Sequence, residues 1–278
     1  MSNEMLESMR GVLDDVLDYI KKDLIEVYRH RNILRSLVYK DLFGKYRNSF
    51  LGFVWNFITP IILLLMYYVV FSEIRTGGTI ENKWVFIATA IFGFHFMTSC
   101  IVGGTTAFTG HANMLKKMYV PKEILVLSKS ISSFIVCLIG YVVVLVYLVI
   151  SGYGLELSFL LLPLVLMIMF VFGVGCVFLL SSVAVYVRDI QYALGPMGIA
   201  FFVLTPMRYM ASDAEGLLET IIWCNPLTYF VESFHDILYW GTLPSVSNMC
   251  MCLLLAAVTL IGGYTVFRKL RRGFVKRL

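Results

Sequence analysis

The chain has 278 residues, of which 59% are hydrophobic and 15% charged, with a mean hydropathy of +0.81. Soluble domains sit near half apolar and a quarter charged, so this balance excludes an ordinary water-soluble fold and predicts an integral membrane protein. The net charge of +5 is accounted for below by membrane orientation and calls for no nucleic acid. Six cysteines lie singly or as Cys250-Met251-Cys252, mostly inside apolar runs. That is neither a zinc nor a redox spacing, and no metal site is expected.

Residues 1–30 mix acids and bases around Leu17, Ile20, Leu24 and Val27, which predicts a solvated cytoplasmic helix. They contain no long apolar core, so no cleavable signal peptide is expected. Over residues 31–50, Leu34, Leu37, Val38, Leu42 and Tyr46 recur at helical spacing, the pattern of an amphipathic interface helix. Asp41 and Lys45 fall on that stripe, four residues apart, at a spacing that allows them to pair.

Apolar runs long enough to cross a bilayer, which takes about 20 residues per helix, then follow at about 51–71, 84–108, 124–150, 157–187, 190–209 and 246–267. Together they make a six-span transmembrane domain over 51–267, all-α in class. Pro121 is placed to open the third span, and Pro163, Gly173 and Gly175 are expected to break the fourth. Residues 210–245 are too polar to span. Residues 268–278 form a basic tail suited to a membrane surface. With both termini inside, the segments 1–50, 109–129, 186–191 and 268–278 hold 20 of the 23 Lys and Arg residues, leaving Arg75, Lys83 and Arg208 outside. The positive-inside rule therefore chooses a multi-pass protein with cytoplasmic termini.

Motifs for chemistry are absent. No G-x-x-x-x-G-K-[ST] loop occurs, so ATP is not bound by a P-loop in this chain. Neither G-x-S-x-G nor H-E-x-x-H occurs, and no catalytic residue is assigned. Apart from Arg208 at the outer end of the fifth, only Lys129, near enough to the inner surface to snorkel, and His95 carry ionisable nitrogen within the spans. Ion-coupled pumps usually need buried carboxylates, so the driving energy is expected to enter through a partner. His95 sits roughly 16 Å into the second span; it is either a functional group or a neutral ring satisfied by Ser99 one turn on.

In the first span Phe53, Phe57, Pro60, Leu64, Tyr67 and Phe71 recur at alternating spacings of four and three, with Tyr68 beside them. The fifth span offers Gln191, Gly195, Gly198, Phe202, Thr205 and Tyr209. Such faces serve packing or lipid contact, or else a passing sugar ring whose C–H faces are apolar. In the loop 110–122, Lys116 and Lys117 are either topology anchors or, with Met114, Met118 and Tyr119, a surface for a soluble motor. Arg188 and Asp189 have the same two readings, a local pair or a docking point.

Five stretches converge on one family: KYRNSFLGFVWNFITP (45–60), NMLKKMYVPKEIL (113–125), VYVRDIQYAL (185–194), LTPMRYMAS (204–212) and NPLTYFVESFHDILYWGTLP (225–244). In this order they resemble the membrane subunits of type-2 ATP-binding-cassette exporters, especially those for O-antigen, capsule and teichoic acid polymers. The resemblance implies a homodimer of six-span subunits with two separate ATPase subunits, which would carry the ATP and Mg; this chain would hold no cofactor. It places the ATPase-coupling segment at 113–122, including Pro121, and the channel between two copies, lined by the first and fifth spans. Short extracellular gate helices would fall within 213–240, with Trp223, Asn225, Pro226 and Tyr229. His235 stands where many relatives carry arginine. The substrate expected is a lipid-linked polysaccharide whose reducing end first meets Lys40, Lys45 and Arg47 at the cytoplasmic rim, where membrane lipids compete for the same charges. A drug or small-lipid exporter is the alternative; an intramembrane enzyme is more remote.

Overall fold

The computed structural model describes residues 23, 25–44, 51–73, 80, 82–117, 119–152 and 156–277, except the side chains of 53, 71–73, 275 and 276. Regular structure among the described residues is entirely helical. Helix α1 (Arg31–Gly44) falls within the segment 31–50. It buries Leu37 and Leu42 and packs on α6. Lys45, which Asp41 was expected to meet, lies outside the described residues. Asp41 lies 3.5 Å from the Ser132 hydroxyl, which donates to the Ser128 carbonyl at 2.7 Å.

A short 3-10 turn, Gly52–Val54, leads into α2 (Trp55–Glu73). Helix α3 (Lys83–Ile101) continues through a 3-10 turn at Gly103–Thr105 into α4 (Thr106–Thr109) and then α5 (Ala112–Lys117). Pro121 caps α6 (Lys122–Ile150), and Pro163 opens α7 (Leu162–Tyr186) in its first turn. Helix α8 (Ile190–Leu204) is followed by α9 (Leu217–Cys224), α10 (Pro226–Leu238), α11 (Val246–Leu270) and α12 (Phe274–Arg277). Among the described residues, four stretches are long and apolar enough to cross a membrane: Lys83–Lys117, Lys122–Ile150, Leu157–Tyr186 and Val246–Gly273. Trp55–Val70 and Ile190–Leu204 are shorter apolar helices.

Helix α3 is the axis of the fold. It is apolar nearly all round, as a fully enclosed helix must be, and packs against α2, α6, α7 and α10. The polar stretch after α8 does not stay at the surface: α10 buries Phe230, Phe234 and Ile237 completely and leans on α3. Asn225 and Pro226 set its start. The Asn225 side chain accepts from the Leu227 amide at 3.1 Å, and proline suits the first helical position, whose N–H has no helical partner.

Two boundaries differ from the sequence reading. Gly173 and Gly175 do not break α7. A Cβ at Gly173 would lie 2.7 Å from Phe96, and one at Gly175 would overlap the backbone of Thr259 in α11. These glycines remove side chains where neighbours press in, which is how small residues let helices approach in a membrane. Helix α8 stops at Leu204, five residues before the expected end. Thr205 precedes Pro206, whose ring disfavours helical backbone at the residue before it, and Thr205 is accordingly extended at φ −83°, ψ 130°.

Candidate functional site

Two cavities meet at α3. The first, of about 480 Å³, lies between α1, α2, α3 and α6, and its lining includes Asp41, Asn56, Thr59, His95, Ser99 and Lys129. The second, of about 520 Å³, is an open groove between α3 and α8 lined by Phe94, His95, Thr98, Gly195, Gly198 and Phe202. His95 and Ser99 belong to both. Gly195 makes room: nothing lies within 4 Å of where its Cβ would stand. The structure thus brings His95 to Phe202, whose ring sits edge-on to Phe94 at 5.7 Å.

Ser99 does not satisfy His95. Its hydroxyl pairs with Ser133 of α6 at 2.9 Å, and the imidazole stays exposed to the cavities. The α2 stripe splits. Phe57 and Tyr68 are exposed, Pro60 is buried, and Leu64 and Tyr67 pack against the core. Tyr68 meets Trp84 edge-on at 5.3 Å, and Trp84 meets Tyr147 at 4.3 Å, a cluster typical of a membrane–water interface. The side chains of Phe53 and Phe71, and the whole of Lys45, Arg47 and Met118, lie outside the described residues. Lys40 is exposed on α1.

Thr205 and Tyr209 are not members of a helical face, because α8 has ended. Thr205 is buried and accepts from Asn225 Nδ2 at 2.9 Å, so it fastens the start of α10. The Tyr209 hydroxyl donates back to the Leu204 carbonyl at 3.1 Å. Trp223 and Tyr229 stand 5.6 Å apart, with the Tyr229 hydroxyl donating to the Trp223 carbonyl at 2.8 Å.

At the other end, Leu115 anchors α5 and leaves Lys116, Lys117 and Tyr119 exposed, with Met114 half-buried and Pro121 buried. Arg188 reaches the carbonyl of Arg277 at 3.4 Å instead of pairing with Asp189. Arg277 in turn lies 4.4 Å over the Tyr186 ring, and Phe274 is buried against Phe108 at 4.8 Å. The basic tail is therefore folded onto the helix ends.

Three features were not legible in sequence. Arg208 holds its guanidinium 4.8 Å over the Phe202 ring, a favourable cation–π placement. His235 is fully buried and stacked on Phe86 at 3.6 Å, with Glu232 Oε1 3.8 Å from Nδ1 and no hydrogen bond to either ring nitrogen among the described residues. Burial lowers its pKa below the ordinary histidine value, with Glu232 opposing the shift. Packing against Phe86, rather than contact with a substrate, explains that ring. Finally, Arg271 binds Asp23 at 3.2 Å and Glu123 at 2.5 Å, while Tyr264 donates to Asp23 at 2.5 Å and Tyr119 to Glu26 at 2.9 Å. These contacts tie the start of the described chain, the segment around α5 and the end of α11 together. Only the hydrophobic spacing of each part was visible beforehand, because the partners stand up to 248 residues apart.

Known proteins are similar in sequence to this chain over nearly its whole length. The chain is 25% identical over 255 residues to the O-antigen export system permease protein RfbA of Myxococcus xanthus, covering 91% of this chain and 98% of that protein. It is 26% identical over 250 residues to RfbA of Klebsiella pneumoniae, covering 89% and 95%. The capsule polysaccharide export inner-membrane protein CtrC of Neisseria meningitidis is 20% identical over 252 residues, covering 87% and 92%. Residues 33–239 match the family model described as ABC-2 type transporter, and the chain belongs to that membrane family.

Proposed function

We propose that this chain is the membrane-spanning subunit of an ATP-driven exporter that moves a lipid-linked polysaccharide from the cytoplasm to the outer leaflet. The observation that carries this reading is the near full-length similarity to permeases named for O-antigen and capsule polysaccharide export. In this reading α2 and α8 join the four longer helices to make six spans, with both termini cytoplasmic. Two copies form the channel, and two separate ATPase subunits supply ATP, Mg and motion. The exposed Lys116, Lys117 and Tyr119 on and beside α5 meet the ATPase. The groove holding His95 and Phe202, with Phe57 of α2, belongs to the polymer path, where an aromatic face stacks on apolar sugar C–H surfaces without gripping them. Helices α9 and α10 form the outer gate.

Deleting the gene tests the assignment. Undelivered polymer is expected to accumulate in the cytoplasm, with return of surface polymer on complementation; normal surface polymer in the deletion strain overturns it.

The junction between interface helix and first span gives a sharper expectation. Gly52 sits at φ +44°, with no atom of the described residues within 4 Å of its Cβ position. An L side chain in left-handed backbone costs about 1–2 kcal/mol, least for asparagine. Gly52→Val is expected to slow export severalfold with unchanged assembly, and Gly52→Asn to slow it less. Equal rates for the two, measured as surface polymer per transporter, would show that the junction does not have to hold or revisit this conformation.

A further inference from the structure

Lys129 stands on α6 about 10 Å beyond Lys122 along the helix axis. Among the described residues its ammonium makes no hydrogen bond or ion pair. Its Cε and Nζ lie 3.4 Å from where a Gly103 Cβ would be, so the side chain runs beside the glycine turn that follows α3. A lysine within a membrane-spanning helix is costly to insert, and such residues face a partner or a cavity. Here the cavity is present, about 480 Å³, within the range of ligand sites, and hydroxyls from three helices line it: Thr59, Ser99, Ser132 and Ser133.

Ser132 donates its hydroxyl proton to the Ser128 carbonyl at 2.7 Å, and Ser99 and Ser133 pair at 2.9 Å, so that one of those two hydroxyls keeps its proton. A cation with no ion pair among the described residues, beside that pair and Thr59, is the chemistry of an anion site. Asn56 strengthens the pattern. Its amide reaches only the Leu42 carbonyl, at a long 3.4 Å, and so retains donor capacity. The single acid in the lining is Asp41. It lies 3.5 Å from the Ser132 hydroxyl and forms no ion pair with Lys129, so the lysine is left available to an anion. A phosphoryl group is the anion that suits the place: it offers several acceptor oxygens and rides into the membrane on an apolar chain.

We propose that this cavity is a subsite for the phosphoryl headgroup of the lipid-linked substrate, with Lys129 as its cation and Asn56, Thr59 and the Ser99–Ser133 pair as its donors. The assignment rests on the export reading above and adds where the charged end of the substrate is held. His95, which lines both this cavity and the groove beside α8, stands where a headgroup would leave the first for the second. Asp41 repels the anion, so the two charged residues act with opposite sign.

The test uses the full complex with its ATPase subunits in detergent, titrated with farnesyl diphosphate, and with farnesol as the phosphate-free control. Wild type is expected to prefer the diphosphate by about tenfold or more, the scale of a charge-assisted contact. Lys129→Met should abolish the preference, Lys129→Arg should keep it, and Asp41→Asn should increase it. Assembly of each variant is checked by co-purification of the ATPase. An unchanged preference in Lys129→Met overturns the subsite. Equal competition by phosphatidylglycerol also overturns it, since the lysine then serves bulk phospholipid. Loss of binding with normal surface polymer in the Lys129→Met strain overturns the substrate role while leaving the export reading intact. That reading fails separately, on the deletion strain.

Discussion

Replacing Gly263 by alanine is expected to destabilise the protein strongly, while the same replacement at the adjacent Gly262 is expected to be neutral or slightly stabilising. Both lie in α11, and alanine exceeds glycine in helix propensity by about 1 kcal/mol. Their surroundings reverse the sign. Nothing lies within 4 Å of a Cβ at Gly262, whereas one at Gly263 would overlap the Gly175 carbonyl oxygen of α7 and come within 3.2 Å of the Leu179 amide nitrogen. Those atoms are backbone, and no rotamer change moves them. The matching intrusion occurs in the other direction at Gly175, against Thr259 and Leu260, so the two helices are locked backbone to backbone.

Overpacking costs about 1–3 kcal/mol where side chains can yield, and occasionally more; a rigid seam belongs at the upper end. Separating α7 from α11 would also loosen Phe178, which packs on Phe267 at 4.9 Å. Thermal unfolding in detergent should show Gly263→Ala well below wild type and Gly262→Ala at or above it. Equal midpoints would mean that the seam is loose enough to absorb a methyl group.

The long helices were legible because crossing a bilayer demands about 20 apolar residues in a row, a signal that does not depend on neighbours. Helix α1 was legible for a related reason, since Leu37 and Leu42 lie on one stripe. What failed was inference from local spacing to a particular partner. Ser99 stands one turn from His95, but Ser133 on another helix takes its hydroxyl. Thr205 and Tyr209 keep a helical spacing on paper, yet Pro206 ends the helix before they can use it. Gly173 and Gly175 look like helix breakers, whereas in a crowded membrane interior they are the residues that permit contact. Lys129 was visible as a charge in a span, but the cavity in front of it is made by four helices. His235 was noted as a departure from the family pattern, and only its stacking on Phe86 shows that it serves the core.

Converting Arg271 to methionine is expected to lower stability by about 2–3 kcal/mol and to lower export more than ATP hydrolysis. Removing one partner of a buried ion pair costs about 3–5 kcal/mol because the other charge is stranded. The Arg271 side chain is 32% exposed, which argues for less. Two carboxylates are stranded, however, and the Glu123 side chain is only 8% exposed. Asp23 keeps the Tyr264 hydroxyl, but Glu123 loses its only cationic partner among the described residues, and the two acids then repel each other across the vacated space.

The position of the cluster explains the functional half of the expectation. Lys122 also donates to the Arg271 carbonyl at 2.5 Å, so the residues just after α5 are held to the end of α11 by side chain and backbone alike. In the proposed exporter, movement imposed on α5 by an ATPase would reach α6 and α11 through this junction. Arg271→Met should therefore leave hydrolysis running while less polymer reaches the surface. A triple variant that also carries Asp23→Asn and Glu123→Gln removes the stranded charges and is expected to recover most of the thermal stability, since neutral replacement of a buried ionic group is often tolerated. If the triple variant recovers stability but not export, the ion cluster transmits force; if it recovers both, neutrality at this junction is all that export requires. Full export and wild-type stability in the single variant would remove the cluster from the coupling route altogether.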